Sequence, residues 1–235
     1  MATPITAGTA LQRLRAAGLA PREYDGWRTH TRTAQGRPWG PVHGVMVHHF
    51  GPYSTVSGAV AYARAGSVEL PGPLYPILVA PDGAVHMVGW GRCNHAGTGS
   101  GAVLQAVKAE RYPLPKPGTG TDGNRHFYGL CLIHPGDRDD YPRVQLDAAA
   151  TVAAALCRAH TKWSELSVIG HKEWQAGKPD PVGSMNAFRR RVRSCWSGLP
   201  PAQESAVPTP RPPTSTNERL AALERRVTAL EKGAS

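Results

Sequence analysis

Apolar residues along the chain follow two patterns, short continuous runs and longer stretches with helical spacing. The continuous runs predict buried β-strands, and they lie in GVMVHHF (44–50), FYGLCLIH (127–134) and LSVIGH (166–171). A fourth segment, LYPILVAPDGAVHMVG (74–89), carries Pro81, Asp82 and Gly83 between two apolar runs. Because these three residues favour tight turns, the segment predicts two strands joined by a turn.

The helical spacing predicts four α-helices in the same part of the chain. They cover residues 8–18, 55–66, 145–163 and 184–196, and the third is the strongest because it is rich in alanine and leucine. Strands interleaved with helices favour an α/β domain in which a central, mixed β-sheet is flanked by α-helices. A chain of 235 residues, 40% of them hydrophobic, can bury such a core.

Composition divides the chain into three parts. Residues 1–198 form the main domain, which begins with an N-terminal extension over residues 1–40. Residues 199–216 are dense in proline, serine and threonine, which predicts a semi-extended linker. Residues 217–232 predict a short C-terminal, coiled-coil-like helix, because the a and d positions of two heptads are apolar: Leu220, Leu223, Val227 and Leu230. This helix either mediates weak self-association, which we favour, or stays a solitary amphipathic tail.

The formal charge of +10 and the pI near 9.8 predict an anionic partner or surface. Nucleic acid and an anionic bacterial envelope both satisfy this charge. The basic residues are dispersed, however, and no helix-turn-helix, zinc-finger or RNA-recognition pattern accompanies them, so we expect no nucleic-acid partner. The one basic run, RRRVR (189–193), is interpreted as a solvated helix face.

The cysteines and the apolar runs bear on the compartment. The four cysteines lack CxxC spacing, which argues against a thiolate zinc site or a dense disulfide framework. We expect mostly buried free thiols, with one disulfide left open. No apolar run approaches about 18 residues and no secretory signal is readable, so we expect synthesis in the cytosol and no stable membrane insertion.

Histidines at two predicted strand ends are the candidate chemistry. His48 and His49 end one strand, His171 ends another, and Asp180 follows on a loop. Catalytic zinc takes three protein ligands from nitrogen or oxygen donors and keeps one position open. Adjacent strand residues face opposite sides, so only one of His48 and His49 can enter such a site, and the pattern does not choose between them. Taken alone, GHKEWQAGKPDP (170–181) is better interpreted as a solvated loop.

Four motifs in order carry a family resemblance: VMVHHF, LYPILVAPDGAVHMVGWGRCNHAG, NRHFYGLCLIH and GHKEWQAGKPDP. They resemble the zinc-dependent N-acetylmuramoyl-L-alanine amidases, which include phage amidase lysozymes and animal peptidoglycan recognition proteins. The similarity covers roughly residues 44–195, and the chain looks most like a phage endolysin. The resemblance makes residues 1–198 the amidase catalytic domain, whose first 40 residues are either a lobe over the cleft or a host-specific extension.

The resemblance also implies roles for individual residues. The family's zinc ligands match His48, His171 and Asp180, with Zn²⁺ as the cofactor. Two catalytic helpers are implied: Tyr75 would orient the water or hydrogen-bond the tetrahedral intermediate, and Lys178 would stabilise charge on the carbonyl oxygen. Each residue also has a structural alternative. Tyr75 can be a core residue whose hydroxyl contacts water, and Lys178 can merely screen the charge of Asp180.

Substrate-binding positions are implied at His95, His49 and Trp174, although Trp174, like Glu173, can equally anchor its loop. One departure stands out, because Cys131 occupies a position where many members have glutamate. We interpret Cys131 as inert packing, since no activating group adjoins it in the sequence.

The implied activity is hydrolysis, by zinc-activated water, of the amide bond between N-acetylmuramic acid and L-alanine. The partner is therefore peptidoglycan, which an endolysin reaches from the host cytoplasm after the membrane has been permeabilised. Two alternatives stay open: a non-catalytic peptidoglycan-binding module, and a zinc peptidase that cuts the stem peptide.

Overall fold

Six strands form the central β-sheet of the computed structural model, which describes residues 2–33, 37–50 and 55–196. The strands of this sheet are β1 (Arg22–Glu23), β2 (Gly44–Phe50), β3 (Ile77–Val79), β4 (Val85–Met87), β7 (Phe127–Ile133) and β8 (Val168–Gly170). A separate two-stranded antiparallel sheet pairs β5 (Thr98–Ser100) with β6 (Gly120–Asp122).

The central sheet is mixed, as predicted. Its strand order is β1-β4-β3-β7-β2-β8, and only the pairing of β3 with β4 is antiparallel. That antiparallel pair is the predicted hairpin, in which the side chain of Asp82 accepts a hydrogen bond from the Ala84 N–H and Gly83 adopts a positive φ of 83°. The carboxyl ends of β2, β3, β7 and β8 consequently lie at one edge of the sheet.

Helices cover both faces of the sheet, which gives the predicted α/β layers. One face packs against α1 (Ala7–Ala16), α5 (Arg143–Cys157) and α7 (Met185–Trp196), and the other against α2 (Val56–Ala65) and α3 (Gly101–Lys108). Two single-turn helices, α4 (Gly123–His126) and α6 (His171–Trp174), lie beside strands β7 and β8. None of the helices in the described part of the chain is long and apolar enough to cross a membrane.

Side chains of β2 alternate between the two layers. Val45 and Val47 join the cluster under α5, whereas Met46 and Phe50 join the clusters on the opposite face. His48 therefore points away from α5, and His49 points toward it, where its Nδ1 lies 3.0 Å from the hydroxyl of Tyr141. The pleat thus separates the two histidines, and it is His48 that enters the cluster with His171.

Predicted boundaries differ from the structure mainly in helix α5. It ends at Cys157, not at residue 163, because the chain then turns and the Trp163 ring stacks on His160 at 3.9 Å. Tertiary packing outweighs the helix propensity of these residues. The predicted strand over residues 166–171 shortens to β8, since Glu165–Ser167 forms a 3₁₀ turn and His171 begins α6.

The N-terminal extension is part of the core. Helix α1 packs on α5, and Trp27 and Trp39 each make an edge contact with the ring of Trp90. The indole of Trp90 donates a hydrogen bond to the carbonyl oxygen of Ile5. Residues 1–40 are therefore continuous with the main domain over the part that the structure describes.

The basic run of α7 is only in part the solvated face that was predicted, since Arg190 and Arg193 are exposed but Arg189 is buried. Arg189 is only 5% exposed, and its guanidinium makes two hydrogen bonds of 2.9 Å to the carboxylate of Glu173. Arg191 pairs with Asp147, and Arg193 pairs with Glu165. Glu173 in turn accepts a hydrogen bond from the Gly170 N–H, so the pair ties α7 to the turn that carries His171. Glu173 is thus an anchor of this turn.

All four cysteines are free thiols, which settles the disulfide left open by the sequence. Burial raises the pKa of the Cys93, Cys131 and Cys157 thiols, so each stays protonated and unreactive at neutral pH. The linker predicted over residues 199–216 and the helix predicted over residues 217–232 lie outside the described residues.

The Arg189–Glu173 pair generates a stability prediction. Replacing Arg189 by Met leaves the half-buried carboxylate of Glu173 without its partner, and we expect a loss of about 3 kcal/mol in the free energy of unfolding. Arg190→Met, which changes the exposed neighbour, should have little effect. Urea denaturation of both variants measures the difference, and equal stabilities would show that the pair contributes nothing.

His160 generates a pH prediction. Burial, aided by the charge of Arg13, lowers the pKa of His160 from 6.5 to about 4, and its Nε2 lies 3.1 Å from the hydroxyl of Tyr128. Below pH 6.5, His160 binds a proton in the unfolded chain but stays unprotonated in the native state. The free energy of unfolding therefore falls as the pH drops toward 4. We expect His160→Gln to flatten this slope by at most about 1.4 kcal/mol per pH unit. Urea denaturation at pH 7 and pH 5 checks it, and an unchanged slope would contradict it.

Candidate metal centre and cleft

Three elements bring His48, His171 and Asp180 together. His48 is near the carboxyl end of β2, and His171 is the first residue after β8. Because β2 and β8 are parallel and Val47 pairs with Gly170, these two histidines leave the sheet side by side. Asp180 approaches from the loop after α6, where its carbonyl oxygen accepts a 2.6 Å hydrogen bond from the Lys172 N–H.

The three side chains converge through one atom each. Nδ1 of His48 and Nδ1 of His171 both lie 3.0 Å from Oδ2 of Asp180. The two imidazole centroids are 4.7 Å apart. All three residues are buried, and their candidate ligand atoms lie within 4.8 Å of one another. The structure thus assembles the same three residues that the family pattern indicated.

Burial governs the charge of this cluster. It lowers the pKa of His48 to about 4, against a smaller opposing effect of Asp180, so His48 is neutral at pH 7. Burial alone would raise the pKa of Asp180, but its contacts with His171 and His48 outweigh this and hold that pKa well below the usual range. The cluster therefore presents a neutral imidazole and an ionised carboxylate.

This donor set fits zinc. Two imidazole nitrogens and one carboxylate oxygen are a ligand combination of catalytic zinc sites, which leave a fourth position for water or substrate. Imidazole also suits other divalent transition metals, whereas calcium and magnesium prefer oxygen ligands throughout. Within the residues that the structure describes, the group of side chains that could hold a metal ion is His48, His171 and Asp180.

The outward nitrogens of both histidines have partners of their own. Nε2 of His48 lies 3.0 Å from Nδ1 of His95, and Nε2 of His171 lies 3.0 Å from Oε1 of Gln175. Burial and the neighbouring histidines hold the pKa of His95 well below its ordinary value. Gln175 was not predicted, since no spacing rule marks a glutamine four residues after a histidine outside a long helix.

Tyr75 and Cys131 border the cluster on the α2 side. The Tyr75 ring centroid is 5.1 Å from that of His48, and Tyr75 precedes β3 with Pro76 between them. Burial, and then the adjacent Cys131 thiol, raise the pKa of Tyr75 well above 10, so its hydroxyl stays protonated. Cys131 is wholly buried on β7, directly opposite His48.

A polar cleft of about 560 Å³ opens beside the cluster. His95, His171, Gln175 and the exposed Lys178 line it together with residues from the N-terminal extension and two loops: Arg32, Arg37, Glu69, Leu70, Pro71, Asn94, Gly97 and Asn124. Its wall therefore carries three cationic side chains and one acidic side chain. The N-terminal extension borders the cleft through Arg32 and Arg37, in addition to packing in the core.

Two residues expected to contact substrate lie elsewhere. Trp174 is wholly buried, and its indole packs against Phe127 and donates a 3.1 Å hydrogen bond to the carbonyl oxygen of Ala96. A side chain at Gly99 would collide with this indole at 2.3 Å. His49 faces Tyr141 on the far side of the sheet. Neither residue is among those that line this cleft, and Trp174 takes the anchoring role that was its alternative.

Two comparisons with solved structures, those with TM-scores of 0.50 or above, show the fold. The chain is similar to the catalytic domain of PlyG, with 14% identity and a TM-score of 0.51 over 76% of this chain and 96% of that one. It is similar to PlyL, with 14% identity and a TM-score of 0.50 over 75% and 98%. It is also similar to Drosophila peptidoglycan recognition protein SA, with 18% identity and a TM-score of 0.45 over 73% and 91%. None of the curated proteins matches the chain.

The sequence also matches a family described as N-acetylmuramoyl-L-alanine amidase over residues 38–183. The matched segment contains His48, His171 and Asp180, together with Tyr75 and Lys178. It spans more than half of the 235 residues, and it confirms the resemblance inferred from the four motifs. This chain therefore belongs to the N-acetylmuramoyl-L-alanine amidase family.

Proposed function

We propose that this chain is a peptidoglycan hydrolase that holds Zn²⁺ with His48, His171 and Asp180. The bond cleaved is the amide between the lactyl group of N-acetylmuramic acid and L-alanine. The observation that carries the proposal is the buried convergence of two imidazole nitrogens and a carboxylate oxygen beside a polar cleft, in a member of the amidase family. Water adds across the bond, which leaves a carboxylate on the muramic acid and a free amine on L-alanine.

The chemistry divides between the cofactor and the chain. Zinc supplies Lewis-acid polarisation and makes water a competent nucleophile at neutral pH. The chain supplies ligands in the required state, because the low pKa of His48 keeps its imidazole neutral and the low pKa of Asp180 keeps its carboxylate ionised. Burial of all three residues also limits competing hydrogen bonds from solvent.

Tyr75 acts in this proposal as a hydrogen-bond donor. Its raised pKa keeps the phenol protonated, so at neutral pH the group can donate a proton in a hydrogen bond but does not become a phenolate base. From its position beside His48 it would orient the water or bind the oxygen on which negative charge develops. Cys131 takes no part, because its thiol stays protonated and wholly buried.

Lys178, Arg32 and Arg37 would interact with the negatively charged groups of the substrate and of the attacked amide. The exposed ammonium of Lys178 would stabilise the carbonyl oxygen as the amide is attacked. Arg32 and Arg37 line the same cleft, and their charge suits the carboxylates of a stem peptide. With the overall charge of +10, this favours an endolysin that acts on the anionic bacterial wall once the membrane has been permeabilised.

Product analysis tests the reaction. The zinc-loaded full chain, incubated with purified peptidoglycan, should release stem peptides that begin with L-alanine, identified by mass spectrometry. His171→Ala should release none, because it removes one of the three metal ligands. A chelator should abolish release from the parent protein, and added zinc should restore it.

The same assay separates the alternatives. New termini inside the stem peptide would identify a zinc peptidase and contradict the amidase proposal. Intact peptidoglycan that sediments with both proteins would identify a non-catalytic binding module. His86→Gln, a change at a buried histidine remote from the cleft, serves as the control and should keep full activity.

Tyr75→Phe tests the role of the phenol. We expect kcat to fall by about 10²- to 10³-fold, which is typical of a lost donor to a developing oxyanion, while zinc affinity is unchanged. Tyr24→Phe provides the matched control, since the Tyr24 hydroxyl contacts His86 away from the cleft. A Tyr75→Phe enzyme with parental kcat would show that Tyr75 is a core residue whose hydroxyl contacts water and takes no part in catalysis.

A further inference from the structure

The ring of His95 lies between the ligand His48 and the main chain of β7. Its Nε2 is 3.2 Å from the carbonyl oxygen of Phe127, and its Nδ1 is 3.0 Å from Nε2 of His48. A carbonyl oxygen can only accept, so Nε2 of His95 carries a proton. In a neutral ring Nδ1 then has a lone pair, and the proton of the second hydrogen bond must belong to Nε2 of His48.

His171 has the equivalent arrangement with a different partner. Its Nε2 is 3.0 Å from the amide oxygen of Gln175, which also only accepts. Nε2 of His171 therefore carries the proton of this hydrogen bond. The ionised Oδ2 of Asp180 also only accepts, so it draws a proton toward each Nδ1, whereas the outward acceptors draw that proton to Nε2. In the neutral form protonated on Nε2, each Nδ1 keeps a lone pair for a cation held beside Asp180.

From these contacts we propose that His95 and Gln175 are positioning residues, which hold His48 and His171 in the Nε2-protonated tautomer and so direct both Nδ1 lone pairs at one cation. The proposal rests on the proposed zinc function and deepens it. The opposite tautomer would place an N–H in the middle of the ligand set, where it competes with a metal ion. Mutation of a residue that hydrogen-bonds to a metal ligand typically lowers metal affinity by about 10- to 100-fold.

The surrounding structure holds His95 in place for this role. The side-chain oxygen of Asn124 accepts hydrogen bonds from the N–H groups of His95 and Ala96, at 2.9 and 2.6 Å. The imidazole lies over Gly129 of β7, where a Cβ atom would come within 2.9 Å of the ring. His95 is also 6% exposed, so little of the ring is available to a substrate. These contacts favour a positioning role over direct binding.

Two substitutions at His95 separate its two hydrogen bonds. In His95→Asn the amide oxygen takes the place of Nδ1, so the acceptor for His48 is kept. In His95→Gln the amide nitrogen takes the place of Nε2, so the contact with Phe127 is kept and the acceptor for His48 is lost. We expect His95→Gln to weaken zinc binding by about 10- to 100-fold, and His95→Asn to weaken it less.

The matching pair at Gln175 changes the acceptor for His171. Gln175→Glu retains an acceptor and should keep zinc affinity at or above the parental value. Gln175→Leu removes the acceptor and should weaken binding by about 10- to 100-fold. Affinity is measured on the full chain by competition with a chromophoric zinc chelator, with His86→Gln as the control and thermal unfolding to show that each variant is folded.

Side-chain ¹H–¹⁵N correlation spectra of the unmutated, histidine-labelled chain give a readout that does not depend on any variant. We expect protons on Nε2 of His95, His48 and His171 in the zinc-loaded protein. A proton on Nδ1 of His95 would overturn the proposal, as would parental zinc affinity in both His95→Gln and Gln175→Leu. If the parent binds no zinc, the proposed function fails first, which distinguishes the two failures.

Discussion

The site depends on the parallel pairing of β2 with β8. Their register places Val47 opposite Gly170, so His48 and His171 occupy the next matching positions and present their rings to the same layer, 4.7 Å apart. Because strand side chains alternate, a slip of one residue would replace His48 by His49, which faces Tyr141. The Arg189–Glu173 pair and the buried indole of Trp174 hold the turn that begins at His171. The register of β2 and β8 thus determines which histidines can serve as ligands, independently of the metal.

The same arrangement has an energetic cost. Burying two imidazoles and a carboxylate forfeits their hydration, and the attraction inside the cluster recovers only part of it. Neutral histidines cost less to bury than charged ones. Burial lowers the pKa of His48 and of His95, and a lower pKa favours the neutral form of each ring. A cation bound only by the native state adds its binding free energy to stability. The apolar core beneath, from Val45 and Val47 to the alanine-rich face of α5, supplies the stability that permits such a site.

Much of this was readable from sequence, and the failures have physical causes. Continuous apolar runs identified β2 and β7 because strands buried on both faces need no alternation. Helix α3 and strands β5 and β6 were missed, since the strands are only three residues long and rich in glycine, serine and threonine. The ligand triad, including His48 in preference to His49, came from the family pattern, and the pleat of β2 gives the physical reason because it turns His49 toward Tyr141. Arg189 was taken as solvated because no sequence rule pairs it with Glu173, sixteen positions earlier.

The titratable groups around the cluster explain why the chain by itself is poorly suited to acid–base catalysis at neutral pH. Burial lowers the pKa of His48 to about 4 and holds that of His95 well below its ordinary value, so neither readily holds a proton taken from water. It moves the pKa of Tyr75 and of Cys131 upward, so neither readily releases one. The cysteine in place of the family's frequent glutamate removes a further carboxylate from this wall. These four groups are therefore suited to binding and orienting. In the proposed function, the group that ionises near neutrality is supplied by the cofactor that His48, His171 and Asp180 would hold.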